Sequence, residues 1–140
     1  MAASTAGALK ALIESLGLGL SAYRDEPPPI TGGWDMPRPY VTIIEEIALV
    51  ADPAEDGKAG TVVETAQVDL WQDWKALPTN AVVESYSLAG ALRRGIDGSV
   101  LAAIGSSHPY IALVRHTLRQ LQPEENLVHH SLTVEVYRQA

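Results

Sequence analysis

Four histidines are the residues of this sequence whose type first suggests acid–base chemistry or metal binding. They are His108, His116, His129 and His130, and the chain contains no cysteine. His129 and His130 are adjacent on a predicted strand, so their side chains point to opposite faces, which is poor geometry for one metal ion. His116 could meet one of them across neighbouring strands, but a metal site usually needs three protein ligands. We therefore interpret the histidines as surface or interface residues.

Carboxylates are the second group that could do chemistry. Asp69 and Asp73 share one face of a predicted strand, but the strand rise separates them by about 13 Å, too far to share a proton or one Mg²⁺ ion. Glu45 and Glu46 are consecutive and diverge. The sequence also lacks a phosphate-binding loop, a dinucleotide glycine motif and a nucleophile elbow. These patterns predict no enzyme and no cofactor, and each carboxylate is interpreted as a solvated position on a strand face.

The negative charge of the chain is concentrated in one segment. The 140 residues include 17 acidic and 10 basic residues, a net charge of −7 with a pI near 4.9. Residues 45–73, here called the acidic segment, carry eight acids and one lysine (8 − 1 = 7), so the other nine acids and nine bases cancel. A chain of this charge is not expected to read nucleic acid, because the phosphates would be repelled.

Periodicity in the apolar residues predicts the elements that position these groups. Residues 4–16 have the stripe of an amphipathic helix that ends at Gly17. A second helix is predicted from Thr79 or Asn80 to Arg94, with Gly95 in the left-handed conformation after it. Strands are predicted at residues 40–50, 61–73, 110–121 and 127–138, with a short strand within 18–24 and a charged hairpin tip at 51–60.

The order of these elements predicts the fold class. A helix, two or three strands, a helix and two strands indicate an α+β fold, an antiparallel sheet of about four to five strands with two helices packed on one face. The length of 140 residues is that of a single domain, residues 1–140. No apolar run approaches the roughly 20 residues of a membrane span. The absence of cysteine and of a secretory signal is typical of assembly in a reducing cytoplasm.

Several phrases of the sequence resemble one known family. They are residues 39–43 (Pro-Tyr-Val-Thr-Ile) at a strand opening, residues 65–71 (Thr-Ala-Gln-Val-Asp-Leu-Trp) in the next strand, the helix ending at residues 88–94, and the closing strand 127–138. With the leading helix, this pattern resembles the tail terminator, or tail completion, proteins of long non-contractile-tailed bacteriophages. The likeness spans nearly the whole chain, apart from a Pro-rich segment at residues 24–39.

The resemblance implies a structural virion protein. Such a subunit forms a hexameric ring that caps the finished tail tube at its head-proximal end, ends tube polymerisation and joins the tail to the head connector. It implies contacts with the major tail tube protein and with a head-closure protein, no cofactor and no catalysis. The acidic segment would face viral duplex DNA that passes through the ring without specific binding.

Three groups of residues are the candidate sites of this ring. The first would line the lumen, the second would contact the adjacent ring, and the third supplies aromatic interface residues; no basic residues are interleaved with the aromatics as a single-stranded nucleic-acid platform would need. The lumen-facing acids are Glu64, Asp69 and Asp73; the contact loop is Asp52, Glu55, Asp56 and Lys58; the aromatics are Trp34, Tyr40, Trp71 and Trp74.

Three alternatives stay open at the level of sequence. A head-closure or adaptor subunit of the same connector would share ring symmetry. A small-ligand-binding α+β domain would need a pocket with converging polar groups. An acidic mimic of DNA would need the acidic segment to be exposed. The mass of the assembled protein separates a ring subunit from a monomeric binder.

Overall fold

The computed structural model describes residues 4–25, 38–45, 49–52, 61–74, 81–101 and 110–139. The helices are α1 (Thr5–Ser15) and α2 (Ala81–Ile96), with one 3₁₀ turn at Pro123–Glu125. The strands are β1 (Ala22–Arg24), β2 (Tyr40–Glu45), β3 (Leu49–Asp52), β4 (Thr61–Asp73), β5 (Val100–Leu101), β6 (Tyr110–Gln122) and β7 (Leu127–Gln139). Neither described helix is both long enough and apolar enough for a membrane crossing.

The described strands form one mixed sheet. Six of the seven follow the order β1-β2-β4-β7-β6-β5, and β3 pairs with β4 beyond the end of β2. The prediction of an antiparallel sheet with four to five strands is therefore right in class but wrong in strand count and in one strand direction. The strand predicted at residues 40–50 is two strands, β2 and β3, and β5 adds another short strand. β1 runs parallel to β2. A parallel pair needs a long crossover, and the intervening Pro-rich stretch has the length for one, but sequence does not reveal strand direction.

The predicted helix at residues 4–16 is confirmed as α1. Ser4 caps it, since its hydroxyl accepts a hydrogen bond from the Gly7 amide at 3.0 Å. Gly17 follows the helix with a φ of 72°, a conformation that glycine adopts without steric cost. The carboxylate of Glu45 accepts from the Ala6 amide at 2.5 Å, so a residue of the acidic segment satisfies a free donor in the first turn.

The second helix runs two residues beyond its predicted end. Gly95 lies inside α2, and the left-handed glycine is Gly98, with a φ of 78°. A Cβ atom on Gly95 would lie 2.5 Å from Leu16 Cδ1, so glycine at this position lets α2 pass close to the end of α1. Gly95 was predicted to end the helix, but it instead lies within α2, where it allows close contact with α1.

Both helices pack on one face of the sheet, as predicted, and we call this the covered face. Its core joins Leu9 and Ile13 of α1 to Leu92 and Ile96 of α2, all fully buried. The strand residues in this core alternate with residues of the other side, here called the open face, many of which are polar. The strand contributors are Ala22, Val41, Ile43, Ala66, Val68, Leu70, Leu101, Ala112, Leu132, Val134 and Val136.

Strand β6 forms an edge of the sheet over most of its length. β5 pairs only with Tyr110 and Ile111, and the chain around Ser99 bonds to Ala112. A bulge between Val114 and His116 then shifts the register. From His116 onward, none of the described strands pairs with the outer side of β6.

Candidate functional site

An aspartate–histidine pair lies at the centre of the open face. Asp69 of β4 is only 3% exposed, and its Oδ1 lies 2.9 Å from Nε2 of His129 on β7. The amide of Gln67 donates to both carboxylate oxygens, at 3.1 and 3.0 Å. The solvated-carboxylate interpretation is therefore wrong for Asp69, because neighbouring polar side chains replace water around it.

These neighbours keep the buried carboxylate ionised. Burial alone raises the pKa of Asp69, but hydrogen bonds from His129, Gln67 and Ser131 outweigh this effect and lower the pKa below its ordinary value. The register makes this possible, since Ser131 is directly opposite Asp69 across the β4–β7 pair. Three side chains on two strands thus hold one negative charge in a fixed position.

Trp71 covers the imidazole of His129. The two residues are cross-strand partners, and their rings stack with centroids 4.0 Å apart and planes 3° from parallel. Trp71 Nε1 donates to the hydroxyl of Thr42 on β2 at 2.9 Å, and His129 Nδ1 lies 3.3 Å from Oε1 of Gln120 on β6. The cluster therefore links four adjacent strands, β2, β4, β7 and β6, into one rigid layer.

This cluster is built for positioning more than for proton transfer. A catalytic base needs a free nitrogen facing a substrate cavity. Both ring nitrogens of His129 face side-chain oxygens. His129 does not line the crevice between α2, β6 and β7 or the crevice at the 3₁₀ turn. Within the described ranges, no three His, Asp or Glu side chains gather as a metal site would require. The geometry supports a surface with fixed donors, acceptors and an aromatic ring.

The three predicted lumen acids do not share a face. The β4–β7 register is continuous from Thr61 to Asp73, so side chains alternate regularly along β4. Asp69 and Asp73 belong to the open face, whereas Glu64 has the parity of buried Ala66 on the covered face. Asp73 also pairs with Arg38, whose Nε lies 2.5 Å from its Oδ1.

The other predicted sites are only partly described. Asp52 ends β3, while Glu55, Asp56 and Lys58 of the contact loop lie outside the described residues, as does Trp34. Tyr40 is the cross-strand partner of Trp71, and the ring of Tyr23 packs edge-on against Tyr40 with centroids 6.2 Å apart. Trp74 is half-buried just after β4.

A second candidate site, absent from the sequence predictions, lies between α2 and strands β6 and β7. It is a crevice of about 140 Å³. Its lining brings basic and hydroxyl groups together with apolar ones: Ala89, Gly90, Arg93, Thr117, Leu118, Arg119, His130 and Leu132. A second crevice, lined by residues 121–125 around the 3₁₀ turn, contains no basic side chain.

His130 makes this crevice chemically distinct from the open-face cluster. It is 5% exposed, so the surface interpretation is wrong for this histidine, whereas His116 is exposed as predicted. Burial, followed by the positive charge of Arg119 and the neighbouring His129, lowers the pKa of His130 to about 4. The sequence predicted that His129 and His130 point to opposite faces. It did not predict that α2 covers His130.

Comparison with known proteins yields a likeness in fold. No protein-family model matches the chain, and no curated protein sequence matches it. The fold is similar to that of a chain in a solved structure, the virion of a native gene transfer agent particle, with a TM-score of 0.54 and 16% identity. The alignment covers 94% of this chain and 84% of that chain. A likeness at this identity establishes a shared fold over nearly the whole length.

Proposed function

We propose that this chain is a single-domain structural protein of a phage-like virion, and more specifically a tail terminator. Six copies would form a ring at the head-proximal end of the tail tube, end tube polymerisation and join the tail to the head connector. Its partners would be further copies of itself, the tube protein and a head-closure protein. The proposal includes no catalytic step and no cofactor.

The observation that carries this proposal is the fold likeness to a chain of a gene transfer agent virion, which spans 94% of the sequence. The sequence phrases at residues 39–43 and 65–71 support it independently, because they resemble the tail terminator family. In the structure these two phrases form adjacent antiparallel strands, β2 and β4, and Thr42 and Trp71 from them are hydrogen-bonded in the open-face cluster.

The geometry is suited to an assembly subunit. The open face offers a rigid layer in which the indole of Trp71, the imidazole of His129 and the carboxylate of Asp69 are held by neighbours. A ring also needs interfaces that join two different patches of the subunit, and an open strand edge such as that of β6 can supply one of them.

The passage of DNA through the ring would depend on the overall charge of −7 more than on the predicted lumen acids Glu64, Asp69 and Asp73. Glu64 has the parity of the covered face, Asp69 is buried, and Asp73 is paired with Arg38. Repulsion of the duplex by six acidic subunits keeps the DNA from adhering to the wall.

The test is deletion of this chain from the particles that contain it, followed by electron microscopy. A terminator is expected to leave overlong tails without heads, because tube growth is no longer stopped. Complementation with the wild-type chain restores tails of uniform length and serves as the control. Normal tails attached to leaking or unfilled heads would instead show the head-closure role, and particles of normal form would contradict both.

A measurement of mass on the purified protein tests the ring. We expect a hexamer, either alone or after addition of tube protein. A monomer that stays monomeric with tube protein and melts at a higher temperature with a small ligand would contradict the proposal and favour a ligand-binding domain.

A further inference from the structure

The crevice between α2 and strands β6 and β7 is lined by basic and hydroxyl residues together with apolar ones. Arg93, Arg119, Thr117 and His130 line it from three different elements, and Arg93 is the exposed cation among them. The crevice volume of about 140 Å³ is well below the roughly 300–1,000 Å³ of pockets for small-molecule ligands. It is of a size for one side chain or one small anionic group.

The crevice lies in a basic part of an acidic chain. Residues 88–122 contain four arginines and one aspartate (4 − 1 = 3 positive), in contrast to the seven negative charges of the acidic segment. Lys10, Arg24, Arg38 and Arg115 form ion pairs with described carboxylates. Arg93 is exposed and forms no ion pair with the carboxylates of the described residues. The crevice therefore offers a cationic group to a ligand from outside.

The neighbouring strand edge provides a place for a second chain to dock. The outer side of β6 is without a described strand partner from His116 onward, and two leucines beside it are exposed, Leu118 by 49% and Leu121 by 37%. Unpaired edges with apolar side chains are the usual sites where another chain adds to a sheet. The crevice opens beside this edge, since Leu118 and Arg119 belong to its lining.

We propose that this crevice receives a carboxylate side chain of a second copy of the same chain, docked along the open edge of β6. The chain itself carries the complementary charge, because its whole negative excess lies in residues 45–73. Contact between unlike patches of two copies would bring this negative segment to the positive excess of residues 88–122, which favours a carboxylate of a second copy as the occupant.

The two patches lie on different parts of the sheet. β7 separates β6 from β4, and β2 and β3 lie on the far side of β4. An interface between unlike patches is head-to-tail, the kind that closes into a ring when the rotation allows. The inference thus rests on the proposed ring and identifies one side of its subunit contact.

The test compares two neighbouring arginines. Arg93 and Arg94 have the same charge and are both exposed in the last turn of α2, but only Arg93 lines the crevice. Sedimentation equilibrium at low ionic strength, where exposed charges are least screened, gives the self-association constant of each variant. We expect Arg93→Glu to weaken self-association at least about tenfold, as loss of a charge at the centre of an interface does. Arg94→Glu should weaken it less than about threefold, as loss of a charge at the rim does.

Mixing experiments test the head-to-tail geometry. Arg93→Glu keeps its own acidic segment, so it can still insert a carboxylate into a wild-type crevice but cannot receive one. In an equimolar mixture with wild-type protein, a variant subunit should therefore end each chain of subunits. The mixture should give oligomers smaller than the wild-type assemblies. Equal urea midpoints for wild type and Arg93→Glu would show that the substitution leaves the fold intact.

Several outcomes would overturn the inference. They are equal effects of Arg93→Glu and Arg94→Glu, a mixture that assembles like the wild type, and a wild-type chain that stays monomeric up to about 1 mM both alone and with tube protein. Binding of inorganic phosphate or a short DNA duplex that is lost in Arg93→Glu would assign the crevice to a different ligand. Tail length in particles lacking the protein tests the terminator role separately, so either proposal can fail alone.

Discussion

Two adjacent histidines on β7 experience opposite environments. His129, on the open face, is bonded to an ionised aspartate and stacked on an indole. His130, on the covered face, is buried beside Arg119, and its pKa is lowered to about 4. The two side chains are one residue apart, yet one lies against a negative charge and the other against a positive one. The alternation of a strand is enough to place identical residues in sites with different chemistry.

The same contrast holds for the two faces as a whole. The covered face is largely apolar and includes strand residues with no exposed surface, such as Val68 and Val134. The open face is polar and is held by side-chain hydrogen bonds across four strands. We infer that the covered face supplies most of the stability, while the open face supplies a surface of defined shape and charge.

The largest expected effect is the loss of a covered-face side chain. Leu70 is fully buried, so Leu70→Ala should lower the free energy of unfolding by about 2–5 kcal/mol through lost burial and a cavity. Ile44, on the open face and 42% exposed, is the matched control, and Ile44→Ala should cost less than about 1 kcal/mol. Urea denaturation measures both, and equal losses would contradict the division of roles between the faces.

The second prediction concerns acid pH. His130 has a folded pKa of about 4 against an unfolded value of 6.5, so the unfolded chain binds the proton first as the pH falls. Its neutral form therefore contributes fully above pH 6.5, and stability should decrease between pH 6.5 and 4. The expected loss of stability over this window is on the order of a few kcal/mol.

His130→Gln should flatten this part of the stability curve, because the neutral amide does not titrate. Exposed His116→Gln should leave the slope as in the wild type. The charges that favour the neutral form of His130 are those of Arg119 on β6 and of His129, the preceding residue of β7. Arg93 of α2 lines the same crevice as His130. An unchanged slope in His130→Gln would show that another group governs acid stability.

Sequence predicted the local features of both faces well. The bounds of the strand at residues 61–73, the Ser4 end of α1 and the opposite directions of His129 and His130 are confirmed. These depend on neighbours in sequence, on hydrogen-bonding side chains and on the two-residue period of a strand. The same period places Glu64 away from Asp69, so grouping them as lumen acids did not follow the alternation.

Contacts between residues that are distant in the chain could not be predicted from one sequence. Asp69 and His129 are 60 residues apart, and they meet only because β4 pairs with β7 in one register. The burial of His130 depends on where α2 packs, and the position of Gly95 inside α2 depends on its contact with Leu16. Local patterns do not contain the pairing of distant strands or the placement of a helix, so the two candidate sites emerged only from the fold.

The smallest predicted effect separates two aspartates of the same face. Asp69→Asn keeps the shape of the side chain but removes the charge that His129, Gln67 and Ser131 stabilise, and should cost about 1–3 kcal/mol. Asp73→Asn removes a half-exposed partner of Arg38, whose surface pairing contributes less than about 1 kcal/mol.

Acid titration adds a second way to distinguish the two. Because the pKa of Asp69 is lowered in the folded state, its contribution is present above the ordinary value of 3.8 and is lost as the pH falls through the lower folded value. This window lies below that of His130, so in His130→Gln a loss of stability that comes from Asp69 should remain at lower pH. Asp69→Asn in that background should remove it, whereas Asp73→Asn should not. Equal behaviour of the two aspartate variants would show that the cluster of His129 and Trp71 does not stabilise the ionised form of Asp69. The open face would then be an ordinary solvated surface.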